Sequence, residues 1–108
     1  MKKIILGLMV LNSLVFADKR DELFKKQCLF LVYGKGEHNL IINTYLGGVV
    51  DGQIYASPIN KRSEIARISP FQDIIKLGCK FAFKDKSNSA FVTKYKLAVN
   101  DIILKGKK

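Results

Sequence analysis

The sequence predicts an all-α fold: a small bundle of four to five helices tied by one disulfide. Three observations carry that prediction. In the stretch Thr44–Ala56, the small residues Gly48, Gly52 and Ala56 recur at four-residue intervals, and Ile41, Tyr45 and Val49 recur at the same spacing beside them. Residues four apart lie one above the other on a helix, so both sets share a side. Further on, Ser69-Pro70-Phe71-Gln72 has the form of a helix start, with Ser69 as cap, Pro70 at the first helical position and Gln72 completing a capping box. Finally, Cys28 and Cys79 both fall in segments of helical pattern, each at the edge of an apolar face.

The N-terminal segment reads as a targeting sequence. Lys2 and Lys3 precede an apolar run from Ile4 to Val15, and Val15-Phe16-Ala17 has modest or small side chains where a signal peptidase reads. A spanning helix needs roughly 20 apolar residues, and this run is shorter and broken by Asn12. The expectation is therefore a signal peptide over residues 1–17, cleaved after Ala17, rather than a retained anchor. The mature chain, residues 18–108, is then a single helical domain in the periplasm or outside the cell. It has no second long apolar run, so no stable membrane insertion is expected after cleavage.

Export makes the cysteines informative. An oxidising compartment favours one bond between Cys28 and Cys79 over two buried thiols. The loop closed is long, for which the chain-entropy argument gives about 4 kcal/mol. The two are not a Cys-x-x-Cys pair, and with one histidine in the chain they make a poor metal site.

Taken in order, residues 22–33 follow a polar start at Asp18-Lys-Arg-Asp21, with Asp18 as the expected N-cap. Leu23, Gln27, Phe30 and Leu31 share one face, with Phe24 and Cys28 at its edge. The run Cys28–Tyr33 also suits a buried strand; the helix-forming start favours helix, ended by Gly34-Lys35-Gly36. His38 reads as an exposed loop side chain. Leu40–Ala56 is the expected central helix, its glycines offset by close packing because each costs roughly 1 kcal/mol relative to Ala. Asp51-Gly52 between apolar residues is also a hairpin signal. Residues 40–50 do not alternate, which favours mid-helix. On this reading Tyr45, Gly48, Asp51 and Gly52 belong to a packing seam.

Ser57-Pro58 ends that element, since the residue before Pro is pushed from helical angles. Ile59–Ile68 is a short amphipathic helix or a loop, and its basic side chains Lys61, Arg62 and Arg67 are candidates for touching a partner. From Pro70 to Lys84, Phe71, Ile74, Ile75, Gly78 and Ala82 form an apolar face. Lys76, Lys80 and Lys84 form a stripe opposite, either a solvated face or a second partner-binding set. Asp85–Ser89 is a polar turn. Ala90–Leu104 carries Phe91, Tyr95, Ala98, Val99, Ile102 and Ile103 at helical spacing, against a partial strand-like alternation.

Catalytic patterns are missing from the sequence: it has no phosphate loop, no nucleophile elbow and no His-Glu-x-x-His. A non-enzyme without cofactor or metal is expected. Lys plus Arg total 19 against 9 Asp plus Glu; removing Lys2 and Lys3 leaves 17 against 9, about +8 for the mature chain. Such a surplus points to an anionic partner or surface, whether acidic protein, phospholipid headgroup or cell-wall polymer. Nucleic acid is not expected for an exported chain.

The pattern Tyr45-x-x-Gly48-x-x-Asp51-Gly52, after Cys28 and before Cys79, resembles the Rap/Tai family of periplasmic immunity proteins of type VI secretion. The resemblance spans about residues 24–103. It implies a helical, disulfide-containing, often dimeric protein that blocks a cell-wall amidase toxin by occluding its active site. The exported, small, helical, single-disulfide character is also similar to acid-stress chaperones of HdeA type, which implies binding of unfolded clients. Both resemblances make another protein, toxin or client, the expected partner, with a homodimer as a further expectation.

Overall fold

The computed structural model describes residues 19–106. The order is α1 (residues 19–33), α2 (Leu40–Ala56), a 3-10 turn (Ile59–Lys61), α3 (Glu64–Ile68), α4 (Phe71–Lys84) and α5 (Phe91–Lys105). No strand occurs among the described residues. The all-α expectation therefore holds at all three places where a strand or hairpin competed. The expected signal peptide and the Asp18 cap lie outside the described residues.

α5 is the element the others are built on: α2, α3 and α4 all pack against it. Its inner face holds Phe91, Tyr95, Ala98, Val99, Ile102 and Ile103, all buried, the same six residues the periodicity selects. α4 presents Ile74, Ile75, Gly78, Cys79 and Ala82 to the core. The two helices approach so closely at Gly78 that a Cβ there would lie 2.8 Å from both Tyr95 Cε2 and Val99 Cγ2. α1 contributes Phe24, Gln27 and Cys28. Its end is set by Gly34, whose φ of 67° is the left-handed conformation that suits glycine, with its N–H donating to the Phe30 carbonyl at 3.0 Å.

The expected Cys28–Cys79 disulfide is present and fully buried, with a Cα–Cα separation of 5.3 Å. It fastens α1 to α4, helices that are 51 residues apart between the cysteines.

Three local expectations are corrected. The seam of Gly48, Gly52 and Ala56 is on the wrong side of α2. The buried residues are Leu46, Gly47 and Val50, while Gly48, Asp51, Gly52 and Ala56 are exposed. Nothing lies within 4 Å of a Cβ built at Gly48 or Gly52. Gly47 is the contact glycine, its Cβ position 3.0 Å from Phe71 Cε1. The reason is that α2 is apolar on nearly every side, so spacing alone does not choose a face. Of the seam, Tyr45 does pack, stacking on Phe24 at 5.0 Å between ring centroids.

Next, Ser69 does not cap α4. Pro70 holds the cap position with no side-chain bond, and its carbonyl accepts from Asp73 N at 2.9 Å. Ser69 instead donates its N–H to the Ile65 carbonyl, closing α3, and Gln72 reaches across to Asn43 Oδ1 at 3.4 Å. Finally, Ile59–Ile68 is neither one helix nor a loop. Ser63 breaks it by capping α3, accepting from Ala66 N at 3.2 Å. The same hydroxyl donates to the Ile102 carbonyl at 2.6 Å, and Ser63 N donates to the Ile103 carbonyl at 2.6 Å. Ser63 N thus meets the Ile103 carbonyl in the C-terminal turn of α5, while Ser63 Oγ adds a second donor to the Ile102 carbonyl, which also accepts from Gly106 N at 2.9 Å.

Candidate partner-binding groove

The last turn of α1 and the first half of α4 run side by side and leave a groove between them. Leu31, Val32 and Tyr33 form one wall; Asp73, Lys76, Leu77 and Lys80 form the other, and Ser69 closes one end. The floor is apolar because Leu31, Val32 and Leu77 pack on the core from outside. The lip is cationic because α4 places Lys76 and Lys80 on its solvent side, one turn apart, opposite its buried face. Tyr33 is exposed at the α1 lip and braced underneath by Phe83, ring centroids 5.8 Å apart, which in turn packs on Phe91 at 4.9 Å.

Both walls are fixed by the Cys28–Cys79 bond, which joins the same two helices, with Cys79 adjacent to Lys80 in sequence. Side chains on stapled helices lose less freedom on binding than side chains on loops. An apolar floor with ammonium groups on one lip suits an extended or helical peptide that carries apolar side chains flanked by carboxylates. Asp73 on the same lip sets a register, since a ligand carboxylate is favoured nearer Lys80 than Asp73.

Lys84 lies a turn beyond the groove, its Nζ 5.9 Å from the Phe81 ring centroid. Lys61 and Arg67 are exposed on the segment that leads into α4, while Arg62 is half-buried and holds the Ser57 carbonyl through Nε at 3.1 Å. The structure thus joins Lys76 and Lys80 with Tyr33 and the α1 wall. It places Lys61 and Arg67 on a separate surface beside the end of α5, and it makes Arg62 a structural residue. Asp85–Ser89 is an exposed turn closed by Asp85 Oδ1 accepting from Ser87 N at 2.9 Å, and Lys94 Nζ donates to the Asp85 carbonyl at 2.8 Å.

Sequence spacing does not indicate the polar cluster that joins the middle of α1 to the start of α2. Gln27 is fully buried. Its Oε1 accepts from Asn39 N at 2.6 Å, and its Nε2 faces His38 Nδ1 at 3.0 Å and Asn43 Oδ1 at 3.4 Å. Asn39 in turn caps α2, accepting from Ile42 N at 3.0 Å. His38 is thus an exposed ring tied to a buried amide and tilted against Phe30, with centroids 5.2 Å apart. Gln27 within an otherwise apolar helical face was the one available signal, because a buried amide needs partners.

Among the described residues no group of three or more His, Cys, Asp or Glu side chains is placed to hold a metal ion. Asp51 and Glu64 are both exposed, on α2 and α3 respectively. No family model, curated protein or solved structure matches the chain.

Proposed function

We propose that this is an exported binding protein that protects by occupying another protein, holding an acidic segment of its partner in the groove between α1 and α4. In the immunity form of this reading, the partner is a cell-wall-degrading toxin and the complex occludes the toxin's active site. The observation that carries the reading is the pairing of an apolar floor with the Lys76 and Lys80 lip on two helices fixed by a disulfide. The chemistry is binding rather than catalysis. The disulfide suits an oxidising compartment reached through cleavage after Ala17.

Purification of the exported protein at neutral pH, with and without reversal of the lip charges, tests this. The expected result is a stoichiometric complex with one acidic partner. Lys76→Glu with Lys80→Glu should weaken that complex by about 100-fold or more, given about 1.4 kcal/mol per factor of ten and two charge contacts reversed. Cells making the wild-type chain should survive toxin challenge, and cells making the double variant should not. Recovery of many unrelated unfolded clients after acid exposure, with no single partner, would instead assign the chain to a chaperone role.

A further inference from the structure

Away from the groove, α2 presents a surface that the proposed function does not use. Its outward side carries Leu40, Ile41, Tyr45, Gly48, Gly52 and Tyr55, and Ile59 extends the line past its end. Ile41 is 81% exposed and Tyr55 78%. A helix that is apolar on all sides is normally covered on all sides, yet only Leu46, Gly47 and Val50 of α2 are buried. The charge pattern is equally uneven. A chain with 19 Lys and Arg has none between residues 36 and 60, the span that includes the whole of α2.

The basic residues gather around this face instead. Arg20 shares a shallow apolar groove with Ile41 and Tyr45. Lys26 and Lys35 share another with Leu40 and Ile41. Lys61 follows Ile59 in the turn after α2, and Lys96 lies alongside, its carbonyl accepting from Gln53 Nε2 at 3.0 Å. All five side chains are exposed. Three acidic groups lie near this face: Glu37 lines the groove with Lys26 and Lys35, Asp21 lines the groove with Arg20 but is engaged by Phe91 N and Val92 N, and Asp51 lies at the margin toward α4, in the cleft with Phe71 and Gln72.

We infer that the outer face of α2 lies on the surface of an anionic phospholipid bilayer. An apolar ribbon without hydrogen-bonding specificity, flanked by lysine and arginine, matches the layered chemistry of that surface: acyl boundary in the middle, phosphate at the rim. Tyr45 and Tyr55 suit the headgroup level, where amphipathic rings concentrate. The helix rests in the interface and does not cross it, in keeping with the lack of any described helix long and apolar enough to span. A second copy is a poorer occupant. A two-fold pairing of this face would set one basic rim against another, on chains that each carry a large positive charge.

Pelleting of the exported protein with vesicles tests the inference. Vesicles of phosphatidylglycerol and phosphatidylethanolamine should carry the protein down, added salt should release it, and vesicles of phosphatidylcholine alone should bind weakly. Ile41→Glu and Tyr55→Glu should each lower the partition coefficient by about tenfold. Both positions are too exposed to affect folding, which helicity and the absence of free thiols would verify. Lys76→Glu with Lys80→Glu should leave binding within about twofold, since those residues are not on the rim. The inference is overturned by any of four results: no pelleting with the anionic vesicles, equal pelleting with the neutral ones, indifference to Ile41→Glu, or a dimer in free solution that Ile41→Glu dissolves.

Discussion

Asp21 caps a helix that begins 70 residues later in the chain: its Oδ2 accepts from Phe91 N at 2.9 Å and its Oδ1 from Val92 N at 3.0 Å. The residue at the cap position of α5, Ala90, has no side chain able to do this. One carboxylate on α1 thus satisfies two of the N–H groups that the first turn of α5 leaves open, and its charge faces the positive end of the helix dipole. Replacing Asp21 by Ala should cost about 1–2 kcal/mol, the range for loss of a cap. In a domain of this size that lowers Tm by about 4–8 °C per kcal/mol. Asp21→Asn keeps one acceptor oxygen and should fall between. Thermal unfolding of the three proteins under one buffer checks the order.

The glycines separate into two classes with opposite responses. Gly78→Ala would put a methyl 2.8 Å from Tyr95 Cε2 and Val99 Cγ2, in the middle of the α4–α5 contact. Both neighbours are fully buried and have no room to withdraw. The expected loss is about 1–3 kcal/mol from overpacking. Gly48→Ala and Gly52→Ala meet open space and should each gain about 0.5–1 kcal/mol from helix propensity. A packing seam on Gly48 and Gly52 requires the reverse ranking, so denaturant titration of the three variants decides the matter directly.

These two cases show what the sequence made legible. Where one face of a helix is polar and the other apolar, spacing identifies the buried side: the α5 core residues are all correct, and α4 is correct apart from Phe71, which remains partly exposed. In α2 that contrast is missing, and the choice fell on Gly48 and Gly52 rather than Gly47. The Asp21 and Ser63 contacts bridge helices far apart in sequence, so no local pattern announces them. In sequence, Asp21 belongs to the polar start of α1. The Lys76 and Lys80 stripe was visible; its apolar counterpart across the groove on α1 was not, because it exists only once α1 and α4 are brought together.

Tyr95 gives a pH-dependent prediction. Its hydroxyl donates to the Leu46 carbonyl at 2.7 Å in a fully buried setting, and burial pushes its ionisation well above the ordinary tyrosine range. The unfolded chain loses this proton at about pH 10, while the folded chain keeps it. Above that pH the native state binds more protons than the unfolded state, so stability falls as pH rises. Tyr95→Phe should cost about 1–2 kcal/mol at neutral pH, leaving the Leu46 carbonyl short of a partner. It should also flatten the alkaline decline, because the phenyl ring has nothing to ionise. Urea unfolding at neutral pH and at several alkaline values measures both effects. A variant with wild-type alkaline sensitivity would remove Tyr95 from the account.

The buried amide of Gln27 supports the last prediction. The orientation of that amide is fixed by its partners: Asn39 N–H at 2.6 Å demands an acceptor, so Oε1 must point there and Nε2 must face His38 Nδ1 and Asn43 Oδ1. The bonds tie the α1–α2 connection down at the residue that caps α2, so the helix start depends on them. Gln27→Leu keeps nearly the same volume but removes both the acceptor and the donor, leaving the Asn39 N–H without its partner. A loss of about 1–3 kcal/mol is expected. Gln27→Glu keeps an acceptor for Asn39 but buries a charge against the Asn43 oxygen, and should cost at least as much as Leu. Amide exchange distinguishes this from a general weakening of the core. Asn39 and Ile42 should lose protection in both variants by more than global stability falls, while Tyr95 and Ile102 on α5 should track the global change alone.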